Sequence, residues 1–171
     1  MFDWFIYSVS MAYSGRYRVK NPSKYKGDHT NVIYRSMWEK HCMQYFDVSS
    51  DVIQWSSEEI IVPYLYEIDK KYHRYFPDFK VTWKDKSVSL IEVKPNKETM
   101  PPKGRKTKQF ITEAYTFVKN QNKWEAANEL CKDQGWRFEV WTEIELRAMR
   151  ILPKPLKKLK PLPKYTRKKN K

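Results

Sequence analysis

The chain has 171 residues, with 34 Lys and Arg against 20 Asp and Glu, a formal net charge of +14. That length suits one domain with a real core, and with 40% hydrophobic and 16% aromatic residues the chain is not a disordered polyelectrolyte. No run of 18 apolar residues is present, which excludes a spanning helix, and two cysteines, Cys42 and Cys131, exclude a disulfide framework or a Cys-rich zinc site. The pair fits buried thiols in a reducing compartment. The positive charge points to a polyanionic partner, most often nucleic acid.

Residues 1–10 are apolar but lack the positive n-region and small-residue cleavage site of a signal peptide. Met11 offers a second start, so residues 1–10 read either as an extension before it or as part of the native chain. Residues 11–27 then carry Arg16, Arg18, Lys20, Lys24 and Lys26 with no acid, among Tyr13, Tyr17 and Tyr25. They read as an irregular basic N-terminal arm. Thr30 is placed to cap a helix from near Asn31, along which Tyr34, Met37, Trp38, Cys42, Tyr45 and Phe46 recur at helical spacing. Residues 48–55 read as a loop followed by a short extended piece. Residues 59–66 are rich in β-formers, with Pro63 confining them to an edge or an interrupted strand. A turn at Asp69-Lys70-Lys71 leads to a strand over 75–83, and Asp85-Lys86 turns the chain into a strand over 87–94, a meander of hairpins.

Residues 98–108 form a basic loop. A helix follows over 109–130, with a possible break at 120–122, and Gly135 is its stop. Residues 137–142 alternate as a half-buried strand, and 143–150 close the domain as a short helix. The predicted order is helix, three strands, helix, strand, helix. This is an α/β domain over residues 28–152, a mixed central sheet flanked by helices. Residues 153–171 hold nine Lys and Arg, four prolines and no acid, so they read as a solvated, extended basic tail. Residues 28–152 carry a net charge of only +1, so this reading puts the excess on the two arms.

Two segments carry chemistry: Phe76-Pro77-Asp78-Phe79 and Leu90-Ile91-Glu92-Val93-Lys94. Glu92 and Lys94 lie two apart on a strand and so share a face, with Ile91 and Val93 turned to the core. Thirteen residues separate Asp78 from Glu92, which lets the two carboxylates meet across a hairpin. Convergent carboxylates repel unless a cation sits between them, and hard oxygen donors suit Mg²⁺ or Mn²⁺. Such an ion activates water and polarises phosphate. Lys94 is placed to orient or help deprotonate that water, or to stabilise charge on the phosphorane.

Pro77-Asp78 followed by Glu92-Val93-Lys94, on this element order, resembles the PD-(D/E)XK nuclease motif. The block from Ile33-Tyr34-Arg35-Ser36 through Trp38-Glu39, Ser57-Glu58-Glu59-Ile60 and Tyr72-His73-Arg74-Tyr75-Phe76-Pro77-Asp78 to Glu92-Val93-Lys94-Pro95 resembles more closely the head completion nucleases of T4-like tailed phages. So does the start, Tyr13-Ser14-Gly15-Arg16-Tyr17. The resemblance covers roughly residues 11–150. It implies a restriction-endonuclease-like fold and a Mg²⁺- or Mn²⁺-dependent DNA endonuclease. It also implies Asp78, Glu92 and, from the first helix, Glu39 as metal ligands, with Lys94 completing the catalytic set. The implied substrate is double-stranded DNA, met with little sequence preference at the portal of a filled head before tail attachment. Head, portal or neck proteins are the implied partners, and virion and host cytoplasm the implied places.

Arg35, read one turn before Glu39, either pairs with it or reaches a phosphate. Lys103, Arg105, Lys106 and Lys108 follow the catalytic strand and are candidate DNA contacts. Gln109 is placed as a polar helper or a plain surface residue. Glu58 and Glu59, being adjacent on a strand, face opposite ways, and neither is assigned a role. His73 reads as a hairpin surface residue. The alternative is a non-catalytic structural DNA-binding assembly protein on a nuclease fold.

Overall fold

The structure, a computed structural model, describes residues 13–153. The expectations about residues 1–10, the Met11 start and the basic tail beyond Pro153 fall outside the described residues.

The N-terminal segment is not a free arm. β1 (Gly15–Tyr17) pairs antiparallel with β2 (Val32–Tyr34), and a 3₁₀ turn, Pro22–Lys24, follows β1. Tyr17, Val19 and Tyr25 enter the main core, where Tyr17 and Tyr25 meet Trp55 edge-on. Asp47, fully buried, draws the segment in. Its carboxylate accepts from the Tyr17 hydroxyl at 3.0 Å and from the backbone N–H groups of Lys20 and Asn21 at 2.7 and 2.9 Å. A buried carboxylate needs that many donors, and here they come from the chain it anchors. The five basic residues of this stretch therefore belong to the folded body.

The first helix also begins later than the Thr30 signal suggests. The Thr30 hydroxyl and backbone N–H both donate to Asp28, forming a local turn, and Val32 and Tyr34 alternate inward as strand residues. The helix, α1 (Met37–Val48), starts at Ser36, whose hydroxyl accepts from the Glu39 N–H. Its inward face carries Trp38, Cys42, Met43 and Phe46.

The central sheet has the order β3 (Val52–Ser57), β6 (Phe79–Trp83), β7 (Val88–Val93), β8 (Arg137–Trp141). The first three strands are antiparallel neighbours, and β8 runs parallel to β7. The short extended piece expected after the loop at 48–55 is a full strand of the central sheet, β3, because Val52 and Trp55 are buried against α1 and the N-terminal segment. The strand expected over 75–83 is two strands. β4 (Val62–Tyr66) and β5 (Lys71–Tyr75) make a separate hairpin, and the chain leaves it through Phe76-Pro77-Asp78 to start β6. Pro77 has no N–H to give a ladder, so the break falls there.

β7 is buried on both faces. Ile91 and Val93 join the core with Phe46 and Trp55, while Glu92 on the other face meets Tyr75, which belongs to a second cluster with Val62, Tyr64 and Ala127. That second face is covered by α2 (Lys108–Gln134), a 27-residue helix capped by Thr107 and ended by Gly135 at φ 68°. The break expected at 120–122 does not occur. Asn120 is buried, and the Asn122 side chain accepts from the Glu67 N–H at 3.0 Å instead of competing for its own backbone. A last helix, α3 (Glu143–Ala148), opens on a Thr142–Glu145 capping box. Cys42 and Cys131 are buried free thiols, one in each layer beside the sheet.

Candidate active site

β7 and the entry to β6 position the acids. Phe79 pairs with Ile91, so one step further along brings Asp78 beside Glu92. An Asp78 carboxylate oxygen accepts from the Val93 N–H at 2.7 Å, and the Asp78 carbonyl accepts from the Glu58 N–H at 3.2 Å. The side chain is thus tied to the strand that carries Glu92. Glu92 is only 3% exposed. One of its oxygens accepts from the Tyr75 hydroxyl at 2.8 Å, and the other faces the Lys94 ammonium at 3.2 Å. A buried carboxylate held by one hydroxyl and one ammonium is satisfied and oriented.

The electrostatics follow from this crowding. Burial, then repulsion from Glu92 and Glu39, push the Asp78 carboxyl well above its ordinary value. Burial alone would lower the Lys94 pKa, but attraction to Glu92 and Asp78 outweighs it and the ammonium is held above its usual range. Burial and the neighbouring Glu92 push the Tyr75 phenol far upward, so it remains a donor.

Glu39 sits in the first turn of α1 rather than mid-helix. The Ser36 hydroxyl donates to one carboxylate oxygen at 2.9 Å and the Arg35 N–H to the other at 2.7 Å. Burial raises its pKa against those two hydrogen bonds, and Glu58 adds to the rise. Arg35 precedes the helix and does not pair with Glu39 through its guanidinium. Its Nε and Nη2 grip Glu58 bidentately at 2.7 and 2.9 Å. Glu58, which sequence reasoning left without a role, is brought to the rim by an unusual backbone, φ 56°, that turns the chain out of β3 toward Asp78.

Other candidates lie further off. Lys103, Arg105 and Lys106 are exposed in the loop between β7 and α2, Lys108 is exposed at the first residue of α2, and none of them makes an ion pair among the described residues. The Gln109 amide donates to Glu113 on its own helix, and His73 faces Asp69 at 2.8 Å. A groove of 470 Å³ between that loop and α2, lined by Met100, Pro101, Pro102 and Phe117, contains none of the clustered acids. Among the described residues no three His, Cys, Asp or Glu side chains converge as a ready-made metal cage. Sequence reasoning missed Tyr75 and Glu58. Tyr75 had only its place three residues before Asp78 as a signal, and reading 75–83 as one strand hid its turn inward.

The TnsA-like endonuclease N-terminal family model matches residues 49–143, more than half the chain. The head completion nuclease of Enterobacteria phage T4 is 39% identical over 145 residues, covering 81% of this chain and 97% of that protein. The chain belongs to the head completion nuclease family. Its restriction-endonuclease-like fold is the one expected from the motif, a mixed sheet between helices. The TnsA-like match in this family member spans Tyr75, Asp78, Glu92 and Lys94, and leaves Arg35 and Glu39 outside it. The match to the T4 head completion nuclease is long enough to show that both proteins share nearly the whole domain, not a short motif alone.

Proposed function

We propose that this protein is a divalent-metal-dependent DNA endonuclease that acts on double-stranded DNA, with little sequence preference, at the portal of a filled phage head before tail attachment. The observation that carries the reading is the joined set Asp78, Glu92 and Lys94, with Glu92 buried between Tyr75 and Lys94 and Asp78 tied to the same strand. Family membership supports it, since the T4 relative is called a head completion nuclease.

The donor set fits the implied ion. Mg²⁺ commonly uses one or two carboxylates and takes its remaining oxygens from water and substrate phosphate, so a two-acid site without a third ready ligand is of the right kind. Asp78 and Glu92 would hold it, with Glu39 nearby as an additional acid. Bound there, Mg²⁺ or Mn²⁺ supplies Lewis-acid polarisation of the phosphate and a water of lowered pKa. The remaining work belongs to the chain. Tyr75 holds Glu92 in one orientation. Lys94, kept as an ammonium by Glu92 and Asp78, orients the attacking water and stabilises negative charge as it grows on the phosphate. Arg35 and the 103–108 loop offer cations to the flanking phosphates.

The test is cleavage of linear duplex DNA with Mg²⁺, Mn²⁺ or EDTA, comparing wild type with Asp78→Ala. Cutting that needs the metal and vanishes in Asp78→Ala while DNA binding persists supports the assignment. Salt-sensitive binding without any divalent-dependent cutting would favour a structural DNA-binding role in head and neck assembly instead. Unchanged cutting in Asp78→Ala would place the site elsewhere.

A further inference from the structure

The crossover from β7 through α2 to the parallel strand β8 lays the helix along β7 in the opposite direction. Cys131 of the helix lies level with Leu90 of the strand. Eight residues back along the helix is about 12 Å. That equals about four strand residues, the level of Lys94. This puts Lys123 near that level, where the charges of Glu92, Lys94 and Asp78 all reach it.

Its surroundings differ from those of Lys94. The Lys123 side chain is half-buried, and its Nζ lies 5.2 Å from the centre of the Tyr75 ring, whose hydroxyl holds Glu92. Lys123 makes no ion pair among the described residues, whereas Lys94 is already committed to Glu92. Burial lowers its pKa in spite of attraction from Glu92, the mark of a desolvated cation lacking a close counter-ion. One turn back on the same face, Asn120 is 5% exposed and its amide nitrogen has no partner. Lys119 lies 5.8 Å from the Tyr66 ring. Lys119 and Lys123 thus rest on aromatic faces rather than on carboxylates, with the buried, unpartnered Asn120 amide on the same face of α2.

We propose that Lys123 is a further substrate-binding residue of the nuclease site, taking a nonbridging oxygen of a backbone phosphate of the strand being cut. This inference rests on the nuclease reading above. The cation approaches from the helix side, so a phosphate seated between α2 and β7 meets Lys123 and Lys94 from two directions. The nearby acids repel that phosphate, and a cation not already neutralised by them offsets the repulsion where it acts.

The experiment compares full-length wild type, Lys123→Met and Lys123→Arg. Methionine keeps the apolar contact with Tyr75 and removes the charge, while arginine keeps the charge. Cleavage kinetics on linear duplex DNA are measured with Mg²⁺, and DNA binding against salt is measured in an Asp78→Asn background. The expected result is a loss of at least about tenfold in kcat/KM for Lys123→Met, with Lys123→Arg restoring most of it. The log–log salt slope of binding should become shallower by about one unit in Lys123→Met only. Melting temperatures report folding, and Lys123→Gln replaces methionine if that variant melts early. Lys123→Met that cuts like wild type with an unchanged salt slope overturns the inference and leaves the nuclease reading intact. Arginine as impaired as methionine, with both folded, also overturns it. Wild type that fails to cut with any divalent metal defeats the nuclease reading itself.

Discussion

Tyr75→Phe isolates one hydrogen bond at the centre of the site. The phenol is 3% exposed and donates at 2.8 Å to Glu92, itself 3% exposed. A hydrogen bond to a charged group contributes about 1.5–3 kcal/mol, and a buried acceptor left with one partner fewer costs in the same range. The Lys94 ammonium at 3.2 Å remains and limits the loss, so about 2 kcal/mol is expected. For a domain of this size each kcal/mol moves the melting temperature by about 2–4 °C, so Tm should fall by about 4–8 °C. The ring stays, so packing against Ala127 and the contact with Lys123 are preserved. Residues that orient a metal-binding carboxylate affect activity or metal affinity by about 10–100-fold when removed. Calorimetry together with a Mg²⁺ titration of DNA cleavage reads both effects. A Tyr75→Phe protein that melts within 1 °C of wild type and cuts at the same rate over the titration would refute the claim that this bond organises the site.

Asp78→Asn keeps an oxygen for the Val93 N–H and removes a carboxylate whose pKa burial and its acidic neighbours raise. A raised carboxyl stabilises the fold while protonated, and that stability is lost as pH rises through its folded value. The variant should therefore be more stable than wild type at neutral pH, by about 1–2 kcal/mol, and show a flatter stability curve above pH 4, as urea melts at several pH values will record. Mg²⁺ should raise the wild-type Tm and leave that of Asp78→Asn nearly unchanged, as thermal scans with and without the ion will show. Asp47→Ala strands the Tyr17 hydroxyl and two backbone N–H groups, and should cost about 2–4 kcal/mol and expose the N-terminal segment to protease, checked by limited proteolysis. Deleting residues 154–171 removes nine Lys and Arg and should weaken DNA binding and its salt slope, with cleavage at saturating DNA preserved; a collapse of saturated turnover would show that the tail takes part in the chemical step.

The pattern of residues brought out the acid and lysine cluster better than the frame around it. Asp78, Glu92 and Lys94 stood out because charged groups in a strand of Leu, Ile and Val need a reason, and alternation together with a 13-residue separation is local arithmetic. The stop at Gly135 and the strand and short helix that follow it were equally legible, since a left-handed cap and a period-two pattern are written in a few neighbouring residues. The α1 start was misread because Thr30 and Ser36 carry the same capping chemistry, and only the pairing of Val32 and Tyr34 with β1 chooses between them. The charge was misplaced for a similar reason. Five basic residues without an acid look like a solvated arm until Asp47, more than 20 residues away, is seen to hold them against the core.

By itself, then, the sequence determined the class of fold and the three residues of the strand motif, and its net charge of +14 pointed to a polyanionic partner. All of these follow from short-range periodicity or from composition. The tertiary structure decided the rest: that Glu92 is buried, that Tyr75 holds it, that the Arg35 guanidinium grips Glu58 rather than Glu39, and that Lys123 rests on the Tyr75 ring without a counter-ion. Those relations join residues 17 to 48 positions apart in the chain. A buried charge takes its energy from whatever the fold brings within a few ångströms, which no local pattern encodes.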